Sequence, residues 1–151
     1  MRRPAGFTLV EIMIVSSIIA LLAIIAVPAF LRARERSQNA KFMNALRVAY
    51  GAFEQYAAEH GDYPADVNRA TIPAGMSIYF GPTLDWTKPT PIGGNWDWDA
   101  NVFGFVAGVS VVGSSASTTQ FTDIDTAMDD GDLGTGQFRN TASGRYTYIL
   151  Q

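Results

Sequence analysis

Phe7-Thr8-Leu9-Val10-Glu11-Ile12-Met13-Ile14-Val15-Ser16-Ser17-Ile18-Ile19-Ala20-Leu21-Leu22-Ala23-Ile24-Ile25-Ala26-Val27-Pro28-Ala29-Phe30-Leu31 decides the fold of this 151-residue chain. Ile12 to Leu31 is a run of 20 residues without a charge. A helix of about that length spans the ~30 Å hydrocarbon core of a bilayer. Pro28, near the far end, removes one backbone hydrogen bond and is expected to kink the helix. Glu11 does not fit a plain anchor, because a carboxylate inside a spanning helix costs on the order of 3 kcal/mol.

Outward from this run, the composition sets bounds. The chain is 48% apolar and 17% charged, with a formal charge of −3 and a mean hydropathy of only +0.07. That average hides a greasy N-terminus joined to a polar, acidic remainder. The net charge argues against a nucleic-acid partner. The absence of cysteine excludes disulfides, thiolate metal sites and a cysteine nucleophile.

Three readings fit the N-terminus. A cleaved secretory signal would use Arg2 and Arg3 as its basic end and Val27-Pro28-Ala29 as its cleavage site, but the run is long for a signal core. A signal anchor explains the length and not Glu11. The third reading rests on Gly6-Phe7-Thr8-Leu9-Val10-Glu11-Ile12, which resembles the processing site of type IV pilins and type II secretion pseudopilins. The resemblance implies that a prepilin peptidase cuts between Gly6 and Phe7 and that Phe7 becomes N-methylated. It also implies a role for the pair in assembly, in which the new ammonium on Phe7 meets Glu11 of a neighbouring subunit. Pairing offsets the penalty of burying either charge alone, so the contact would set register. Phe7, Thr8, Glu11 and Pro28 are the expected assembly residues. Alternatively Glu11 merely snorkels toward the near interface.

Charge counting alone does not settle orientation. Arg2 and Arg3 precede the run, but Arg32, Arg34 and Arg36 follow it, which slightly favours the reverse topology. The processing motif implies a cytoplasmic N-terminus, a single pass through the bacterial inner membrane and a periplasmic head.

Helical periodicity continues beyond the run. Phe42, Leu46, Ala49, Phe53 and Tyr56 recur at spacings of four and three, which is one apolar stripe. Gly61 suits a left-handed cap and Pro64 prevents resumption. The expected helix runs from about Phe7 to His60. Its Gly61-Asp62-Tyr63-Pro64 ending again resembles the pilin pattern. His60, the single histidine, has no metal-ligand spacing around it and suits a helix C-terminus.

The expected organisation is a leader at 1–6, a transmembrane and filament-core helix at 7–31, its amphipathic continuation at 32–60, and a β-rich head at 61–151. The fold class is α+β, a long N-terminal helix packed on a small antiparallel sheet. Strands are expected at Ser77–Phe80, from Trp96, at Val102–Val112 and at Tyr146–Leu150. Gly113–Thr119 reads as a flexible loop. Gly93-Gly94-Asn95-Trp96-Asp97-Trp98 reads as a hairpin turn with one tryptophan in the core and one at the rim, or as a ligand platform.

The head holds four basic and ten acidic residues. Asp123 to Asp132 is its densest stretch, read as a short capped helix from Asp123 to Met128 ending in an Asp-Asp-Gly turn. It fails the EF-hand pattern. The resemblance implies calcium as a cofactor here, because major pseudopilins order this loop with calcium where many pilins use a disulfide. Asp125, Asp130 and Asp132 are the candidate ligands. No catalytic constellation is present in the sequence. The implied function is structural: a subunit of a type II secretion pseudopilus, a helical homopolymer that assists protein export. Its implied partners are the peptidase, an inner-membrane assembly platform, minor pilin-like subunits and membrane lipid. A type IV pilus subunit and a membrane-anchored or secreted binding module using the Trp-Asp surface are the alternatives.

Overall fold

The structure, a computed structural model, describes residues 6–82 and 84–151. All of the expected leader except Gly6, with Arg2 and Arg3, lies outside the described residues. The chain divides into two units, one ending at Ser37 and one comprising Gln38–Gln151. Helix α1, Leu9–His60, supplies nearly all of the first and the opening element of the second.

In the first unit α1 is continuous through Pro28, and its side chains are exposed. It is the one helix among the described residues long and apolar enough to cross a membrane. Leu9, Leu21, Ile24 and Ile25 are each more than half exposed, so this segment has no partner within its own chain.

In the second unit the apolar stripe meets a four-stranded antiparallel sheet. The strands are β1 (Asn95–Ala100), β2 (Ala107–Val112), β3 (Phe138–Ala142) and β4 (Arg145–Ile149), in the order β1-β2-β4-β3. Helix α2, Thr118–Met128, lies between β2 and β3 in sequence. Phe42, Leu46, Ala49 and Phe53 are buried as their spacing predicts, and Ala52 joins them. Tyr56 is half-buried. Phe42 stacks on Trp96 at 5.4 Å and Phe53 on Trp98 at 3.7 Å, with near-parallel rings. Aromatic burial of this size dominates the energetics of a small core. Helix α1 ends as read: Gly61, at φ 80°, caps it and its N–H donates to Ala57 O.

Four sequence expectations need correction. Both Trp96 and Trp98 are buried, along with Trp86, so neither stands at a rim. Val102–Val112 is not one strand. Asn101 and Phe103 take positive φ, Asn101 N–H closes a turn on Val106 O, and only Ala107–Val112 pairs. Ser77–Phe80 is not a strand, because left-handed Gly75 leads into a 3₁₀ turn at Met76–Ile78. Gly113–Thr119 is not wholly loop. Ser117 caps α2 by accepting from Gln120 N–H at 3.1 Å, and Ser114 Oγ donates to Ile92 O at 2.7 Å.

Alternation along β1 divides its side chains between the two sheet faces. Trp96 and Trp98 face the helix, while Asp97 and Asp99 lie on the opposite face with Ser110, Thr147 and Arg145. Arg145 bonds both aspartates and lies 4.8 Å from the Phe103 ring centroid. The Trp-Asp stretch is therefore a packed core strand backed by a buried ion cluster. It offers no exposed platform to a ligand.

Candidate functional site

Two constellations carry chemistry, one in each unit. The first is the start of α1. Gly6, Phe7 and Thr8 precede the helix and are exposed; the Phe7 side chain is 83% exposed. Nothing lies within 4 Å of the position a Cβ on Gly6 would take. Gly6 and Phe7 thus make no packing contact that would cover the bond between them. Thr8 and Glu11 form a reciprocal capping box: Thr8 N–H donates to Glu11 Oε2 at 2.8 Å, and Glu11 N–H donates to Thr8 Oγ1 at 3.3 Å. Thr8 Oγ1 also donates to the same carboxylate oxygen at 2.8 Å. A carboxylate at this position further complements the helix dipole. These bonds hold Glu11 in the first turn of α1, four residues after Phe7, with hydrogen bonds to Oε2 alone among the described residues. The Thr-x-x-Glu spacing that signals such a box is legible in the sequence, within the same Gly6–Ile12 stretch.

The second constellation is the acidic turn after α2. Asp125, Asp129 and Asp130 each offer a carboxylate oxygen, and these oxygens lie within 4.8 Å of one another. The expected trio was Asp125, Asp130 and Asp132. The structure keeps the first two, replaces Asp132 with Asp129, and leaves Asp132 bonding Gly134 N–H at 2.9 Å. Asp129 was missed because the Asp-Asp pair offers two adjacent carboxylates and spacing alone does not say which turns inward. Asp129 accepts from Gln137 N–H and from Phe138 N–H, and Asp130 accepts from Asp132 N–H and Thr135 Oγ1. Those bonds close the loop without a disulfide.

Asp125 is different. It is fully buried, and neither carboxylate oxygen has a hydrogen-bond partner. Burial pushes its carboxyl up to about 6, with Asp130, Asp129 and Asp132 adding to the effect. The Asp130 carboxyl is held below its ordinary value, chiefly by the Asp132 N–H. A buried carboxylate without a donor is costly, and a proton or a hard cation relieves it. Three clustered oxygen ligands, one of them orphaned, fit a calcium-like ion on this ground.

Away from these sites, His60 Nδ1 lies 3.0 Å from Tyr56 O and its ring stacks on Tyr56 at 4.1 Å, as suits a helix end.

Comparison with known proteins bears on the start of the chain and on less than half of its length. Residues 1–27 match the model of the prokaryotic N-terminal methylation motif. The chain is 44% identical over 72 residues to fimbrial protein EcpC of Eikenella corrodens, which is 48% of this chain and 47% of that protein. It is 39% identical over 61 residues to the type IV major pilin protein PilA of Myxococcus xanthus, covering 40% of this chain and 28% of that protein. It is also 36% identical over 64 residues to the type II secretion system core protein G of Klebsiella pneumoniae, covering 42% of this chain and 46% of that protein. The chain spans about half the length, or less, of these curated relatives. No solved structure matches it. The chain carries a prokaryotic N-terminal methylation motif on an α+β, pilin-like fold.

Proposed function

We propose that the chain is a structural, non-catalytic subunit of a membrane-assembled filament, cut between Gly6 and Phe7, and most specifically a type II secretion pseudopilin. The observation that carries the filament reading is the methylation motif on an apolar helix segment that has no partner of its own. Such a segment needs lipid before assembly and sister helices after it. In this reading the N-terminus is cytoplasmic, the residues beyond the membrane are periplasmic, and the peptidase, the assembly platform and minor subunits are its partners.

Two features support the pseudopilin branch. The chain has no cysteine, and its acidic loop contains the orphaned Asp125. Asp125, Asp129 and Asp130 would hold calcium there, and the ion would supply positive charge to a turn that otherwise concentrates carboxylates. Similarity to EcpC and PilA favours the second reading, a type IV pilus subunit.

Replacing Glu11 tests the assembly role. Glu11→Ala is expected to leave the protein in the membrane fraction and to abolish or strongly reduce filaments seen by electron microscopy. Normal filaments from this variant would overturn the proposed pairing.

A further inference from the structure

Arg32, Arg34 and Arg36 are exposed, and none of them forms an ion pair among the described residues. Arg32 and Arg36 stand four residues apart on α1, where like charges repel. They border a shallow, open groove along one face of α1, lined by Ile25, Ala29, Arg32, Ala33 and Arg36. The two alanines leave it open, Ile25 makes one end apolar, and the guanidiniums make the other end cationic. Its depth in a membrane follows from arithmetic. Twenty uncharged residues at about 1.5 Å each fill the hydrocarbon core, which brings Arg32 and Arg36 to the headgroup layer where that core ends.

We propose that this groove binds one anionic phospholipid, its phosphate between Arg32 and Arg36 and an acyl chain along Ala29 and Ile25. The inference rests on the membrane-spanning reading above. Guanidinium groups suit phosphate because they offer paired donors in a fixed plane. A bound phosphate removes the repulsion between the two arginines. It also gives a reason for Arg32 and Arg36 on the side of the run where a positive-inside count disfavours them.

Retention of lipid by the full-length protein tests this. The protein would be reconstituted in vesicles of equimolar phosphatidylcholine and phosphatidylglycerol, extracted in mild detergent and analysed by native mass spectrometry. Phosphatidylglycerol should be retained over phosphatidylcholine on the order of tenfold, the scale set by two basic residues at an anionic surface. The double variant Arg32→Gln/Arg36→Gln should lose that preference, and Lys41→Gln should keep it. Excess inorganic phosphate should not displace the lipid; displacement would reassign the site to a free anion and overturn the proposal. Equal retention of both lipids by the unmodified protein would also overturn it. Flotation with pure phosphatidylcholine vesicles separates the two levels. A chain that floats but shows no preference refutes only the lipid site, whereas a chain that does not float refutes the spanning helix as well.

Discussion

Arg145 on β4 reaches past β2 to Asp99 on β1, donating from Nη1 to Oδ1 at 2.7 Å and to Oδ2 at 2.5 Å, while its Nη2 donates to Asp97 at 2.8 Å. The same cluster takes in Ser110, which donates to Asp99 and lies 2.7 Å from Thr147 Oγ1. One arginine thus serves two buried carboxylates, and the Oδ1 of Asp97 is left without a partner. Burial raises the Asp97 carboxyl above its ordinary value, even with Arg145 opposing the shift.

Arg145→Ala should therefore be severe. Removing one partner of a buried ion pair costs about 3–5 kcal/mol, because the remaining charges lose their counter-ion. Thermal unfolding of the full chain in detergent should show a melting point lower by about 10 °C or more. The deficit should shrink toward pH 4, where Asp97, whose carboxyl burial already raises, can protonate. A deficit independent of pH would contradict this account of the cluster.

Asp125 predicts a pH dependence of its own. A carboxyl raised to about 6 in the folded chain favours the protonated form, so its contribution is fully present below the ordinary aspartate range. It is lost as pH rises through about 6. Without calcium, Asp125→Asn should match the unmodified protein near pH 4 and exceed it at pH 7, by on the order of 2–3 kcal/mol. Adding calcium at pH 7 should stabilise the unmodified protein and leave the variant unchanged. Calcium insensitivity of the unmodified protein would remove the metal from the proposal.

Gly94 tests the turn that leads into β1. It has φ 74°, and a Cβ there would come within 2.6 Å of Ser114 N and 2.7 Å of Val112 O. Both obstacles are backbone atoms, so they cannot swing away. Gly94→Ala should destabilise by roughly 2 kcal/mol or more, read as a lower denaturation midpoint in urea. Gly144→Ala is the contrast. That residue shares the positive φ but meets nothing within 4 Å, so only the backbone penalty remains.

Phe53 tests the helix-to-sheet core. It is fully buried, stacks on Trp98 and meets Trp86 edge-on at 5.5 Å. Phe53→Ala should cost about 3–5 kcal/mol, since Trp98 and Trp86, themselves buried, cannot collapse into the space. Tyr50→Ala, at a side chain 40% exposed, should cost much less in the same melt.

Helix α1 was legible because its signals are local and mutually consistent. An uncharged run, a four-and-three stripe and a Gly-x-x-Pro stop all point to one element, and the observed Leu9–His60 departs from the expected span by two residues at its start. The head was less legible where backbone conformation overrode side-chain pattern. Val102–Val112 reads as one apolar strand, yet left-handed Asn101, Phe103 and Gly104 fold its first part into a turn. Tertiary partners were invisible for the same reason. Nothing in the local pattern of Asn39 shows that it is buried and accepts from Gln120 Nε2 at 2.7 Å, 81 residues away. The acidic turn was found by composition, but which aspartate faces inward depends on how α2 ends.

In the proposed function Phe7 becomes the first residue of a membrane-anchored filament subunit. Mass spectrometry of the N-terminal peptide of the protein isolated from membranes tests it most directly. The expected chain begins at N-methylated Phe7. A chain beginning at Phe30, after signal-type cleavage, or one retaining Met1 to Gly6 would contradict it.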